Sequence, residues 1–125
     1  MRSDPASNVT TGGDIGPHLD RVRDALRIVS GLAREVGGRA EAHVLIALLE
    51  VALEGSLDQA ALAAKIGVSR QTASRIAGHL GSGYLDGHGE LQPGATMVRA
   101  ETHGRRRHLS LTPYGRRTMK RLLGP

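Results

Sequence analysis

Cysteine, phenylalanine and tryptophan are absent from this 125-residue chain, and tyrosine occurs only twice. Without cysteine there are no disulfides, no thiolate redox sensing and no cysteine-ligated zinc. With so few aromatics, the core must be built from leucine, isoleucine, valine and alanine, a set that favours close-packed helices. Long apolar runs are missing too. The strongest, HVLIALLEVAL at 43–53, is interrupted by Glu50 and falls short of the ~18 residues a bilayer-spanning helix needs. The opening MRSDPASNVTTGGDIGP has no apolar signal region, so the expectation is a soluble, cytoplasmic protein with no membrane partner. Acids are scarce in one part only. Residues 1–55 carry six arginines against eight acids, whereas residues 56–125 carry eleven lysines and arginines against four acids. A polyanionic partner is the natural reading of that excess, and a solvated basic face is the plainer one.

The length fits one domain. Residues 1–16 are rich in Ser, Thr, Gly, Asn and Asp without periodicity and read as a disordered tail, leaving 17–125 as the folded domain. Pro17 suits a first helical turn. Leu19, Val22, Leu26, Val29, Leu32, Ala33 and Val36 then mark an amphipathic helix ending at Gly37-Gly38. A second helix over 39–54 is apolar on most sides and belongs at the centre of the core. Gly55 stops it, and Ser56 or Asp58 starts a third.

The densest signal is QAALAAKIGVSRQTASRIAGHL at 59–80. It predicts two short helices joined by a tight turn. Ala63 keeps the crossing close, Gly67 supplies a positive φ, and Ser69 caps the next helix. Ala73, Ile76, Ala77 and Leu80 recur at i, i+3, i+4, i+7 and form one buried stripe. The other faces hold Arg70, Gln71, Thr72, Ser74, Arg75 and His79, residues able to read base edges or grip phosphates, with Ser69 and Thr72 able to hold phosphates. An ordinary helical hairpin with a polar outer face is the alternative.

After Leu80, glycines and a proline at 81–94 break the helical period, and 86–95 reads as a linker. Residues 96–101 and 107–111 alternate with period two and predict antiparallel strands joined by the tip Thr102-His103-Gly104-Arg105-Arg106. Thr112-Pro113 predicts the cap and first turn of a last helix over 113–123, with Met119, Leu122 and Leu123 on its apolar side. Two helices followed by a basic hairpin predict a winged helix-turn-helix, mainly α with a small antiparallel β-wing. Arg99, Arg105, Arg106 and Arg107 lie on the wing. Strand alternation forbids all of them facing one way, and Arg105 and Arg106 are the expected duplex contacts, with Arg107 open.

GVSRQTASRIAGHL, the Gly-Tyr-Leu that follows, and HGRRRHLSLTPYG at 103–115 together resemble the MarR family of bacterial transcription regulators, over roughly 57–118. The resemblance implies a homodimer joined through the first and last helices, which here offer Leu19, Val22, Leu26, Val29, Met119 and Leu122. It also implies sequence-specific binding to a palindromic operator, with repression as the expected outcome, and a nucleoid-associated location. Many relatives bind small aromatic acids, so a small-molecule effector is a further implied partner, although apolar, aromatic-lined pockets are hard to build from two tyrosines. His103 stands where the family has an aspartate, and the last helix stops about where the family's continues, so the interface is smaller or leans on helix one.

His79, His88, His103 and His108 show no i, i+4 pair and gain no cysteine, so no metal and no cofactor is expected. Neither a phosphate-cradling glycine loop nor a triad spacing is present, so no enzyme is expected. The competing readings are a plasmid- or phage-type architectural DNA factor and a winged-helix protein-interaction module, for which the helix-one stripe is the partner surface.

Overall fold

The computed structural model describes residues 13–37 and 41–124. A 3-10 turn, Gly13–His18, leads into α1, Leu19–Val36. Most of the expected tail therefore lies outside the described residues, and its last four positions open the turn. α2, Ala42–Glu54, is the central helix, with Val44, Ala47, Leu48 and Val51 fully buried. Around it pack Leu32 of α1, Leu62 of α3 (Gln59–Ile66), Ile76 and Leu80 of α4 (Arg70–Leu80), and Met97 and Leu109. The core is aliphatic, as the composition requires.

The turn between α3 and α4 follows its residues. Gly67 adopts φ 72°, ψ 38°, the left-handed conformation that costs glycine nothing, and its N–H donates to Ala63 O. Ser69 Oγ accepts from Thr72 N at 3.0 Å and closes the cap of α4. Ala63 is buried at the helix crossing.

Three strands form one antiparallel sheet in the order β1-β5-β4: β1 Ser56–Asp58, β4 Val98–His103 and β5 Arg106–Leu111. β1 corrects the sequence reading, which placed the start of a helix there. Three residues are too few to show alternation, and Leu57 becomes strand only because it pairs with Leu109 and is buried by it. The wing strands also reach further toward the tip than expected, since Thr102 pairs with Arg107 and His103 with Arg106, leaving a two-residue tip at Gly104-Arg105. α5, Pro113–Leu123, begins as its sequence predicts, with Thr112 Oγ1 accepting from Gly115 N at 2.9 Å.

The stretch 86–95 is not a linker. β2, Gly83–Leu85, and β3, Leu91–Pro93, make a second hairpin. Its turn is held by Asp86, whose carboxylate accepts from the N–H groups of His88 and Glu90 and from Gln92 Nε2 at 2.8–2.9 Å. An Asx-type turn, invisible to hydrophobic periodicity, organises it.

Candidate nucleic-acid interface

α4 presents Arg70, Gln71, Ser74 and Arg75 to solvent, while Ala73, Ile76, Ala77 and Leu80 face the core. Gln71, Thr72, Ser74 and Arg75 form one wall of a concavity of about 930 Å³, and Arg99 and Arg107 stand on the wing side of it. The recognition-type helix and the basic hairpin thus share one groove. A second concavity, of about 360 Å³, brings Arg70 against Arg105, Arg106 and Arg107. Arg107, left open by the sequence, lines both. It lies on the same strand face as Leu109 and Leu111 and emerges beyond the edge of the core, whereas Arg106 shares the opposite face with His103.

Two hydroxyls are already engaged: Ser69 Oγ, besides its capping role, donates to Thr72 Oγ1 at 3.0 Å. Arg75 Nη1 lies 3.4 Å from Glu41 Oε1, the residue preceding α2. That pair is half exposed and holds Arg75 only loosely. Among the described residues, Arg70, Arg99, Arg105, Arg106 and Arg107 form no ion pair.

His79 departs from expectation. The helical pattern puts it on the polar faces of α4, yet it is 9% exposed. Its ring stacks on Tyr84, with centroids 3.5 Å apart and planes 16° from parallel. The cause is Gly78, where any side chain would strike the Gly83 carbonyl. This close approach brings β2 over the end of α4. Burial, and then the charge of Arg75, hold the imidazole below its usual value of 6.5, with Glu41 opposing. The folded state therefore prefers neutral His79, and the unfolded chain takes up the proton first as pH falls through 6.5. The stability this contributes is complete above that pH and is lost as the pH drops toward the lower folded value. Thermal unfolding between pH 7.5 and 5.5 is expected to show a steeper loss for the wild type than for His79→Gln.

The residues implied for a dimer seam separate into two groups. Val22, Leu26 and Val29 are 53%, 65% and 40% exposed and extend a stripe that includes Ile15. Leu19 is half buried. Met119 is buried in the chain's own core, and Leu122 packs onto Gly31 of α1, so both are engaged within the chain. That contact is reinforced by Arg27 Nη1, which donates to Leu122 O at 2.6 Å, and by Tyr114 OH, which donates to Glu35 Oε1 at 2.9 Å.

A close-packed helix pair, with a three-stranded sheet whose outer hairpin projects beside the second helix, decides the architecture. The fold is a winged helix-turn-helix. Solved structures share it. YusO of Bacillus subtilis is 14% identical, with a TM-score of 0.57 over 96% of this chain and 77% of its own. PcaV of Streptomyces coelicolor, a transcriptional regulator solved with its natural ligand, is 20% identical, with a TM-score of 0.53 over 98% of this chain and 75% of its own. BpsR of Bordetella bronchiseptica, whose DNA binding is regulated by 6-hydroxynicotinic acid, is 17% identical, with a TM-score of 0.52 over 86% and 70%. No family model and no curated protein matches the sequence. At these identities the likeness is one of fold, and it agrees with the fold that the MarR resemblance implies. Among the described residues of this winged helix, no helix is long and apolar enough to cross a membrane.

Proposed function

We propose that the chain is a sequence-selective, duplex-DNA-binding transcription regulator of MarR type, acting as a homodimer on a palindromic operator, and that it represses. The observation that carries this reading is the shared groove. Gln71 and Arg75, which can address adenine and guanine edges, share it with Arg107, on the strand face turned to the core, and with Arg99, which lines its edge. α4 enters the major groove, and the wing follows the backbone with Arg105 at its tip. Arg70, grouped with the wing arginines in the second concavity, grips backbone instead of reading bases. Ser74 lies beside Gln71 on the groove wall, and Ser69 and Thr72 fix the helix start. The exposed Val22, Leu26 and Val29 supply the self-association seam, because a contiguous apolar stripe of this kind marks an interface. PcaV and BpsR, which share the fold, are respectively a regulator and a DNA-binding protein, and both are linked to a small ligand. A small-molecule effector is part of the same proposal. The location is cytoplasmic, on the nucleoid, and no catalytic step is assigned.

Selection from random duplexes, run together with size determination, tests the reading. A symmetric site and a dimeric mass are the expected results. Uniform coating of DNA without sequence preference would favour the architectural reading, and absence of binding at low salt would favour a protein-interaction module.

A further inference from the structure

The outer face of the three-stranded sheet, turned away from the core, brings together two histidines that the groove does not use. Leu109 and Leu111 are buried, so strand alternation puts His108 on the opposite face, with Glu101 as its partner on β4 and Asp58 as its partner on β1. His103, two residues beyond Glu101, lies on that face as well and stands diagonal to His108. The two imidazoles meet edge to face, with ring centroids 5.3 Å apart and planes at 72°. His103 is exposed and His108 is half-buried. Among the described residues neither Glu101 nor Asp58 forms an ion pair, although Arg99 and Arg106 share the face. Helical spacing passes over this histidine pair because it forms across two strands.

We propose that His103 and His108 form a metal site on the wing, for a divalent transition-metal ion of the zinc type, which imidazole nitrogen suits. The spacing fits. Two imidazoles on one tetrahedral ion, each about 2.0–2.1 Å from it through nitrogen, hold their ring centroids roughly 5 Å apart. The observed separation already meets that distance, and rotation of the exposed His103 ring about its Cβ–Cγ bond turns a nitrogen to the shared point. As the side chains lie, no group of three histidines and carboxylates among the described residues is arranged to hold an ion. The third ligand is Glu101, directly across from His108, whose exposed side chain swings in when the ion arrives, and water completes the four. Asp58, on the other side of His108, is placed to accept from the ring nitrogen that does not ligate, a support that metal-bound histidines commonly receive. Arg106, across from His103, opposes the ion, and its long stem allows the guanidinium to swing outward. An ion held there ties β4 to β5 beside the tip that carries Arg105 and adds positive charge to it. Duplex affinity then depends on the metal, a consequence that rests on the regulator reading above.

Zinc chloride is the probe, titrated into the full chain in chelator-free buffer at fixed ionic strength. Histidine-ring NMR follows the site, and a chromogenic chelator in competition measures the affinity. One ion per chain and saturable shifts of His103 and His108 are expected. His103→Gln and His108→Gln should each weaken binding about tenfold or more, since losing a mere supporting partner of a ligand already costs about 10–100-fold. Glu101→Gln should weaken it by a smaller factor, and His88→Gln, in the turn of the second hairpin, should leave it unchanged. The ring shifts of the unchanged chain carry the test if a variant fails to fold. Duplex affinity is then measured with and without zinc, and a rise that His103→Gln abolishes is expected. Zinc held by the pair in a chain that binds no duplex would retain the site and remove the regulator reading. Duplex binding indifferent to a loaded pair would overturn the metal dependence. Shifts spread over all the histidines without saturation, an equal loss in His88→Gln, or a mass that rises only with zinc would overturn the site.

Discussion

A chain carrying Val22→Asp and Leu26→Asp is expected to run as a monomer in gel filtration and to bind its selected DNA site about 100-fold or more weakly than the unchanged chain. Both side chains are more than half exposed, so the substitutions remove nothing from the core and should shift the unfolding free energy by no more than about 0.5 kcal/mol. What they remove is the apolar seam. Two aspartates on each copy would meet two on the other, a like-charge contact that dimer formation has to desolvate. DNA affinity then falls because a palindrome rewards two linked modules: once one half-site is held, the second binding step is intramolecular, and joining modules in this way is worth about 10²–10⁴ in avidity. Circular dichroism identical to the wild type, a halved mass and the lost affinity form one consistent outcome. A variant that remains dimeric would transfer the seam to other exposed apolar positions, among them Leu53 of α2, Leu85 and Leu91 of the second hairpin, and Leu123.

Gly94→Ala is expected to cost about 2–3 kcal/mol, among the largest effects a single methyl group can have here. Its β-carbon would collide with the Gly81 carbonyl and lie 2.6 Å from Gly78 O, both backbone atoms that cannot rotate aside. The displaced segment does more than fill space. Ala95, Thr96 and Met97 donate to the carbonyls of His79, Gly81 and Leu80 at 2.8–2.9 Å, so they satisfy the acceptors that the end of α4 leaves open. Moving that segment tilts the groove wall while unfolding the cap. Chemical denaturation measures the loss, and Gly87→Ala, with open space around its β-carbon and no positive φ, is the matched control expected to be near neutral.

Both effects follow from parts of the molecule that the sequence expresses unevenly. Gly67, Ser69 and the Ala73–Leu80 stripe were legible because each carries a local rule: a positive φ, a cap, a 3.6-residue period. Thr112-Pro113 was legible for the same reason. β1 was not, because Ser56–Asp58 is strand only by virtue of a partner 50 or more residues away. The second hairpin was hidden because the Asp86 carboxylate, not an apolar pattern, organises it. Arg107 was ambiguous because alternation fixes relative faces along a strand but not which face meets α4; pairing with Thr102 and descent from Leu109 resolve it. His79 was misplaced because its burial depends on Tyr84 arriving over Gly78, a contact between elements. Met119 and Leu122 had the right polarity for a seam, yet the chain's own core takes Met119 and Gly31 of α1 takes Leu122.

Arg75 carries the most discriminating test, because it stands on the groove wall and is held only by a half-exposed contact to Glu41. The affinity of Arg75→Ala should be measured by anisotropy on the selected duplex and on a scrambled duplex of equal length, at one salt concentration. If α4 reads bases, the selected duplex loses about 1–3 kcal/mol more than the scrambled one, which is the value of one bidentate side-chain-to-base pair. Equal losses on the two duplexes would mean that this side chain grips only the backbone, and an unchanged affinity on both would mean that DNA does not occupy the groove between α4 and the wing.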